Sequence, residues 1–259
     1  MPAASNVYAH ALADEDYGYP LWDPGYEQKA GEVEIGDVGF IEKGRFVRLF
    51  NVMQRPDDEL NALRGVPEGF RQLTIDEKHI STSSINRDSF WSKHITKVEA
   101  KATAGAGSTF DASLTYKATS SSGAILHLPT GYAEERQVSE RSMIMHEYLR
   151  RNYEHWHRYI QQSQKFTVAE NDLLFVRGWV KTADWIVAAF AHSKEEEGAS
   201  IGGGHGLFKA SFSIDLAKQE VQGGWTNRCA RTKQEAHQVD QCIFIHFLKH
   251  TAHDRWNGC

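Results

Sequence analysis

The stretch that decides the fold is Ile95-Thr96-Lys97-Val98-Glu99-Ala100-Lys101-Ala102-Thr103, a small-residue turn Ala104-Gly105-Ala106-Gly107-Ser108, and a return ending Phe110-Asp111-Ala112-Ser113-Leu114-Thr115-Tyr116-Lys117-Ala118. On the outward arm Lys97, Glu99 and Lys101 alternate with Val98, Ala100 and Ala102. On the return, Phe110, Ala112, Leu114, Tyr116 and Ala118 alternate with Asp111, Ser113, Thr115 and Lys117. Period-two alternation marks a strand with two unlike faces, and glycine in the turn marks a hairpin. We therefore expect one antiparallel hairpin over 95–118, on a sheet flanked by a long helix.

A second stretch, Leu173 to Leu216, repeats the pattern. Phe208, Ala210, Phe212, Ile214 and Leu216 alternate with Lys209, Ser211, Ser213 and Asp215. Its expected partner is Trp179 to His192, across the acidic tip Lys194-Glu195-Glu196-Glu197-Gly198. That arm alternates poorly, because Ile186-Val187-Ala188-Ala189-Phe190 is apolar throughout. Such strands have two readings. One is a soluble sheet with one face on a core and one in water. The other is a segment able to join a membrane barrel, where strands of about 9–11 residues alternate lipid-facing and lumen-facing positions.

Outward from these stretches, Glu34 to Val52 reads as a hairpin turning at Glu42-Lys43-Gly44. Gln54 to Phe70 reads as a loop, and His79 to Ile85 and Gly123 to Leu128 as strands. Ser139 to Ser163 carries Met145, Tyr148, Leu149, Trp156, Tyr159 and Ile160 at helical spacing, with Ser139 able to cap the start. Gln241 to Lys249 closes the chain with an apolar, central strand. Residues 1–32, acidic and rich in Tyr, Gly and Pro, read as an extended arm docked through Tyr17, Tyr19, Leu21 and Trp22. Together these predict an α+β fold: a twisted antiparallel sheet with long hairpins, one long helix and short helices, formed by residues 33–259 as a single domain.

Composition narrows function. The chain has 259 residues and a formal charge of −5, with 17 acids and 11 bases in residues 1–100. That balance argues against nucleic acid as a partner. A basic n-region and an apolar run of membrane-spanning length are both missing from the sequence, so a cytoplasmic chain is the expectation. Cys229, Cys242 and Cys259 are too widely spaced for a disulfide framework or a zinc site. No Gly-x-Ser-x-Gly elbow, His-Glu-x-x-His pair or phosphate loop occurs. Neither a cofactor nor a catalytic set is expected, although Cys229 and Cys242 are possible nucleophiles. Arg141, Arg150, Arg151 and Arg158 are the candidates for contact with anionic lipid headgroups, each worth about 1 kcal/mol near a charged surface. Glu147 and Glu154 stand beside them and offer an ordinary solvated helix face instead.

Several segments resemble a large family of uncharacterised proteins from mushroom-forming fungi. They are Tyr17-Gly18-Tyr19-Pro20-Leu21-Trp22, Ile35-Gly36-Asp37-Val38-Gly39-Phe40, Arg48-Leu49-Phe50-Asn51, Asp184-Trp185 with Ala188-Ala189-Phe190, and Asp240-Gln241-Cys242-Ile243-Phe244-Ile245. In order and character the chain also resembles the pore-forming domain of gasdermins, which includes single-domain fungal forms. The carriers are the 97–118 hairpin, the charged 139–163 helix, Asn171 to Val176 and the closing strand. The acidic N-terminus departs from that family, whose pore domains usually begin with a basic helix. The resemblance implies a protein that binds anionic lipid, associates with itself or a related variant, and inserts Phe110, Leu114, Tyr116, Phe208, Phe212 and Ile214 into a bilayer. It further implies a role in fungal regulated cell death or self/non-self recognition. A non-catalytic interaction or sensing domain is the alternative, and an enzyme a third.

Overall fold

The computed structural model describes residues 3–26, 29–103, 111–118, 120, 122–191, 210–215, 220–222, 226–230 and 238–250. Its helices are α1 (Ala4–Ala11), α2 (Glu59–Ala62) and α3 (Met143–Gln162). The strands, in chain order, are β1 (Tyr19–Pro20), β2 (Asp37–Glu42), β3 (Arg45–Asn51), β4 (Ile80–Ile85), β5 (Ser89–Trp91), β6 (Ile95–Thr103), β7 (Asp111–Ala118) and β8 (Ser122–His127). They continue as β9 (Ala133–Val138), β10 (Leu174–Thr182), β11 (Ile186–Ala191), β12 (Ala210–Asp215), β13 (Glu220–Gln222), β14 (Thr226–Cys229) and β15 (Gln241–Leu248). The fold is α+β, as the sequence predicts. The strands form two compact units, one drawn from residues 1–16, 86–133 and 182–239, the other from 17–85, 134–181 and 240–259. Residues 1–32 divide between these units and are not extended throughout, since α1 begins at Ala4.

The second unit is built on a seven-stranded sheet. Its path is β1-β15-β10-β2-β3, and β9 pairs with both β10 and β4. β10 is the organising strand. Leu174 and Phe175 pair with Gly39 and Val38 of β2, and Gly178 to Lys181 pair with Gln137 to Glu134 of β9. The β2–β3 hairpin turns where expected, through Lys43 and Gly44, whose φ values of 51° and 84° suit a two-residue turn that favours glycine. α3 lies on this sheet through Met145, Leu149, Tyr153, Trp156 and Ile160, spaced by three and four residues. The Trp156 ring meets Phe50 at 5.7 Å and Phe175 at 5.6 Å, edge-on in both cases. The helix starts at Met143, not Ser139. The Ser139 hydroxyl accepts from Arg141 N at 3.3 Å and so caps a turn before the helix. On β15, Tyr17 and Tyr19 meet Phe244 and Phe247, while Leu21 and Trp22 are buried.

A charged network lies inside this unit. Arg48 donates from Nε to Asp37 Oδ1 at 2.6 Å and from Nη2 to Asp37 Oδ2 at 2.8 Å. Two further donors, one on Nη1 and one on Nη2, go to the carbonyls of Ala30 and Glu32. Asn51 Nδ2 donates to Asp37 Oδ1 at 2.8 Å and to Ile35 O at 3.0 Å, and Asn61 Oδ1 accepts from Asn51 N at 2.7 Å. Lys181, 1% exposed, donates to Glu32 at 2.7 Å and Glu34 at 2.9 Å, with its ammonium 4.1 Å from the Trp179 ring centre.

The first unit holds two four-stranded antiparallel sheets, β14-β11-β8-β5 and β13-β12-β7-β6. α1 packs on β8 and β11 through Tyr8 and Leu12, both sealed from solvent. The expected hairpin over 95–118 forms as β6 and β7, with an irregularity between Val98 and Lys101. It stands in this unit and α3 in the other, so the expected helix is not part of its sheet's unit. Removing the partner of a buried carboxylate leaves an uncompensated charge, so Arg48→Met should lower unfolding free energy by about 3–5 kcal/mol. Urea denaturation measures this; a loss under about 1 kcal/mol, the worth of an exposed pair, would show the network to be dispensable.

Candidate functional site

Both alternating stretches enter one sheet, but not as two self-contained hairpins. β12 does not fold back on Trp179 to His192, as the sequence suggests. It pairs with β7 and β13, with Ala210 opposite Ala118, Phe212 opposite Tyr116 and Ile214 opposite Leu114. The segment expected as its partner is divided: β10 belongs to the seven-stranded sheet, and β11 pairs with β8 and β14. The physical reason is the break at Ala183-Asp184-Trp185. There Asp184 Oδ1 accepts from Trp185 N at 2.8 Å, and Thr182 Oγ1 donates to Tyr132 O at 2.8 Å. The sheet therefore brings together Leu114, Tyr116, Phe212 and Ile214 by register. Phe110 and Phe208, like the acidic tip 194–198, lie outside the described residues.

Tyr116 is the member whose surroundings are defined. It is fully buried, with its hydroxyl 3.0 Å from Ser89 Oγ, which in turn lies 2.9 Å from His127 Nδ1. The Trp91 ring stands 6.4 Å away. Burial pushes the Tyr116 phenol up to about 12. Ser89 and His127 are 0% and 4% exposed, and this serine and histidine join β5, β7 and β8. Sequence reading missed the cluster; its one signal is a histidine ending the otherwise apolar run Ala124-Ile125-Leu126-His127.

The four arginines are exposed. Arg141 precedes α3, and Arg150, Arg151 and Arg158 lie on it. Glu147, Arg151, Glu154 and Arg158 follow one another at spacings of four and three, so they share a stripe of alternating charge. Arg151 meets Glu147 at 2.8 Å, both largely in water, where such a pair contributes little. The first turn of α3 adds what the sequence reading left out: Met143 and Ile144 are 72% and 46% exposed, two and three residues after Arg141.

Two cysteines are raised by burial. Burial pushes the Cys242 thiol up to about 12, which keeps it protonated and weakly nucleophilic; Cys229, half-buried, is also raised by burial. His155 and His157 bond the Glu68 and Val168 carbonyls at 2.8 and 2.9 Å. Among the described residues no three His, Cys, Asp or Glu side chains converge as metal ligands. Comparisons of the chain with family models, with curated proteins and with solved structures find no match.

His246 supplies a pH test. Its Nε2 lies 2.9 Å from Glu135 Oε1, yet burial first and the Arg177 charge second hold its pKa below the ordinary 6.5. With the folded pKa depressed, the unfolded chain takes the proton more readily. Stability should therefore fall as pH drops below 6.5 and level off below the folded pKa. Urea midpoints taken between neutral and mildly acidic pH should fall less steeply for His246→Gln than for the parent chain. Equal slopes would remove His246 from the effect.

Proposed function

We propose that the chain binds anionic membranes, oligomerises and forms pores through the sheet β13-β12-β7-β6. The observation that carries this reading is the convergence of both alternating stretches in one antiparallel sheet, with β7 and β12 as inner neighbours. β6 has 9 residues and β7 has 8, close to the length a tilted barrel strand needs. Among the described residues β6 and β13 are that sheet's edges, and an edge strand is where a second copy can add strands. Leu114, Tyr116, Phe212 and Ile214, with Phe110 and Phe208, would then meet lipid. Arg141, Arg150, Arg151 and Arg158 would meet its headgroups. The protein moves from cytoplasm to membrane when active, and the gasdermin resemblance gives it a role in fungal regulated cell death or self/non-self recognition.

In this reading Tyr116 must leave Ser89 and His127 before β7 can reach a bilayer. Tyr116→Phe removes one bond of the cluster while keeping the apolar ring, and should lower soluble stability by about 0.5–1.5 kcal/mol. It should also speed dye release from anionic liposomes at equal protein concentration. Unchanged or slower release with the stability loss present would show that Tyr116 does not restrain β7.

The decisive experiment is dye leakage from liposomes with and without anionic lipid. Wild-type protein should release dye from the anionic vesicles. Arg150→Glu, Arg151→Glu and Arg158→Glu together should abolish sedimentation with those vesicles at low ionic strength while circular dichroism stays unchanged. Ala210→Asp should stay folded and bind, but release less dye, because an acid on a lipid-facing strand is penalised. If wild-type protein releases nothing from any anionic vesicle, the pore reading fails and the non-catalytic interaction domain replaces it.

A further inference from the structure

The unit built on the seven-stranded sheet contains a cleft of about 160 Å³ beside the edge strand β3. Leu21, Val33, Phe46 and Phe166 wall it, and three arginines line it. Two of these are committed. Arg45 donates to Asp23 at 2.6 Å, and Arg48 is held by Asp37 and two carbonyls. Arg64 differs. Among the described residues it has no ion pair. Its guanidinium carbon sits over the Phe166 ring, 4.8 Å from the centre. Both members of that stack are fixed from behind: the Arg64 carbonyl accepts from Tyr159 at 3.0 Å and from Gln164 at 3.2 Å, and Phe166 meets Phe40 at 5.5 Å.

A guanidinium laid over an aromatic ring keeps its planar N–H edge for an acceptor in its own plane, and a carboxylate fits that fork. The size of the cleft defines the rest of the guest, since a cavity of roughly 150 Å³ holds a single benzene ring. Charge selects further. Asp23 is balanced by Arg45, and Glu42 also lines the cleft. Glu42 in the lining repels a dianion about twice as strongly as a monoanion, which favours the singly charged guest on Arg64. We infer that this cleft binds a small organic monocarboxylate, with the carboxylate on Arg64 and a compact apolar body against Leu21, Val33 and Phe46. Its occupancy does not depend on membrane action.

Benzoate is the probe. Calorimetric or ligand-observed NMR titration of the full chain should show saturable binding with a Kd of about 1 mM or tighter. Arg64→Ala and Arg64→Gln should each weaken it about tenfold or more, with the circular dichroism spectrum unchanged. Benzyl alcohol, of similar shape and no charge, should bind far more weakly to wild-type protein, and so should inorganic phosphate. No saturation by about 10 mM benzoate, or undiminished affinity in a folded Arg64 variant, overturns the site. Benzyl alcohol or phosphate binding as well as benzoate overturns the ligand class. If one Arg64 variant fails to fold, the other variant and the three-ligand comparison on wild-type protein decide the matter.

Discussion

The buried pair of Arg48 and Asp37 is the constraint on which the larger unit depends. A guanidinium and a carboxylate taken out of water cost several kcal/mol each unless every donor and lone pair is matched. Here the matching fixes the chain path. Arg48 uses the carbonyls of Ala30 and Glu32, so the segment before β2 must pass its head. Asp37 uses Asn51 and Glu34 N, which locks the open end of the β2–β3 hairpin, and Asn51 then binds Asn61, which seats α2. Lys181 repeats the device from β10 by holding Glu32 and Glu34. Segments that an apolar core would leave free to slide are thus set in one register.

How much of this was legible varies with how local the signal is. The β2–β3 turn is written in Lys43-Gly44, and α3 in the spacing of Met145, Leu149, Trp156 and Ile160, because each depends on residues within a few positions. β9 was missed. Its sequence, Ala-Glu-Glu-Arg-Gln-Val, is polar, yet it pairs with both β4 and β10. Its polar side chains are satisfied by remote partners: Glu135 by Ser83 and His246, Gln137 by Arg177. Hydrophobic periodicity cannot show a strand whose neighbours are hydrogen-bonded side chains far away in sequence. The division of β10 from β11 was hidden because β11 is apolar on both faces, and the break before it is made by Asp184 through one bond to a backbone N–H.

The candidate site was legible in the same partial way. Alternation found β6, β7 and β12, while their adjacency came from a non-local pairing that alternation does not encode. The exposed Met143 and Ile144 show the limit from another side. In the sequence they continue the apolar run into Met145, and only the helix start at Met143 turns them outward.

The two units also differ in what their buried polar groups would cost to separate, and this bears on the proposed membrane role. In the larger unit the buried groups are ions, and breaking such a pair costs about 3–5 kcal/mol. In the smaller unit Tyr116 of β7 meets a serine hydroxyl that in turn meets an imidazole, and a typical hydrogen bond contributes about 0.5–1.5 kcal/mol. Phenol and hydroxyl can find water or each other again once exposed, whereas an isolated buried charge cannot be left behind. Under the proposed membrane role, the ion pairs lie in the sheet that would stay and the Tyr116–Ser89 bond in the sheet that would be released. The same arrangement keeps the Tyr116 ring out of water, so it is not offered for aggregation.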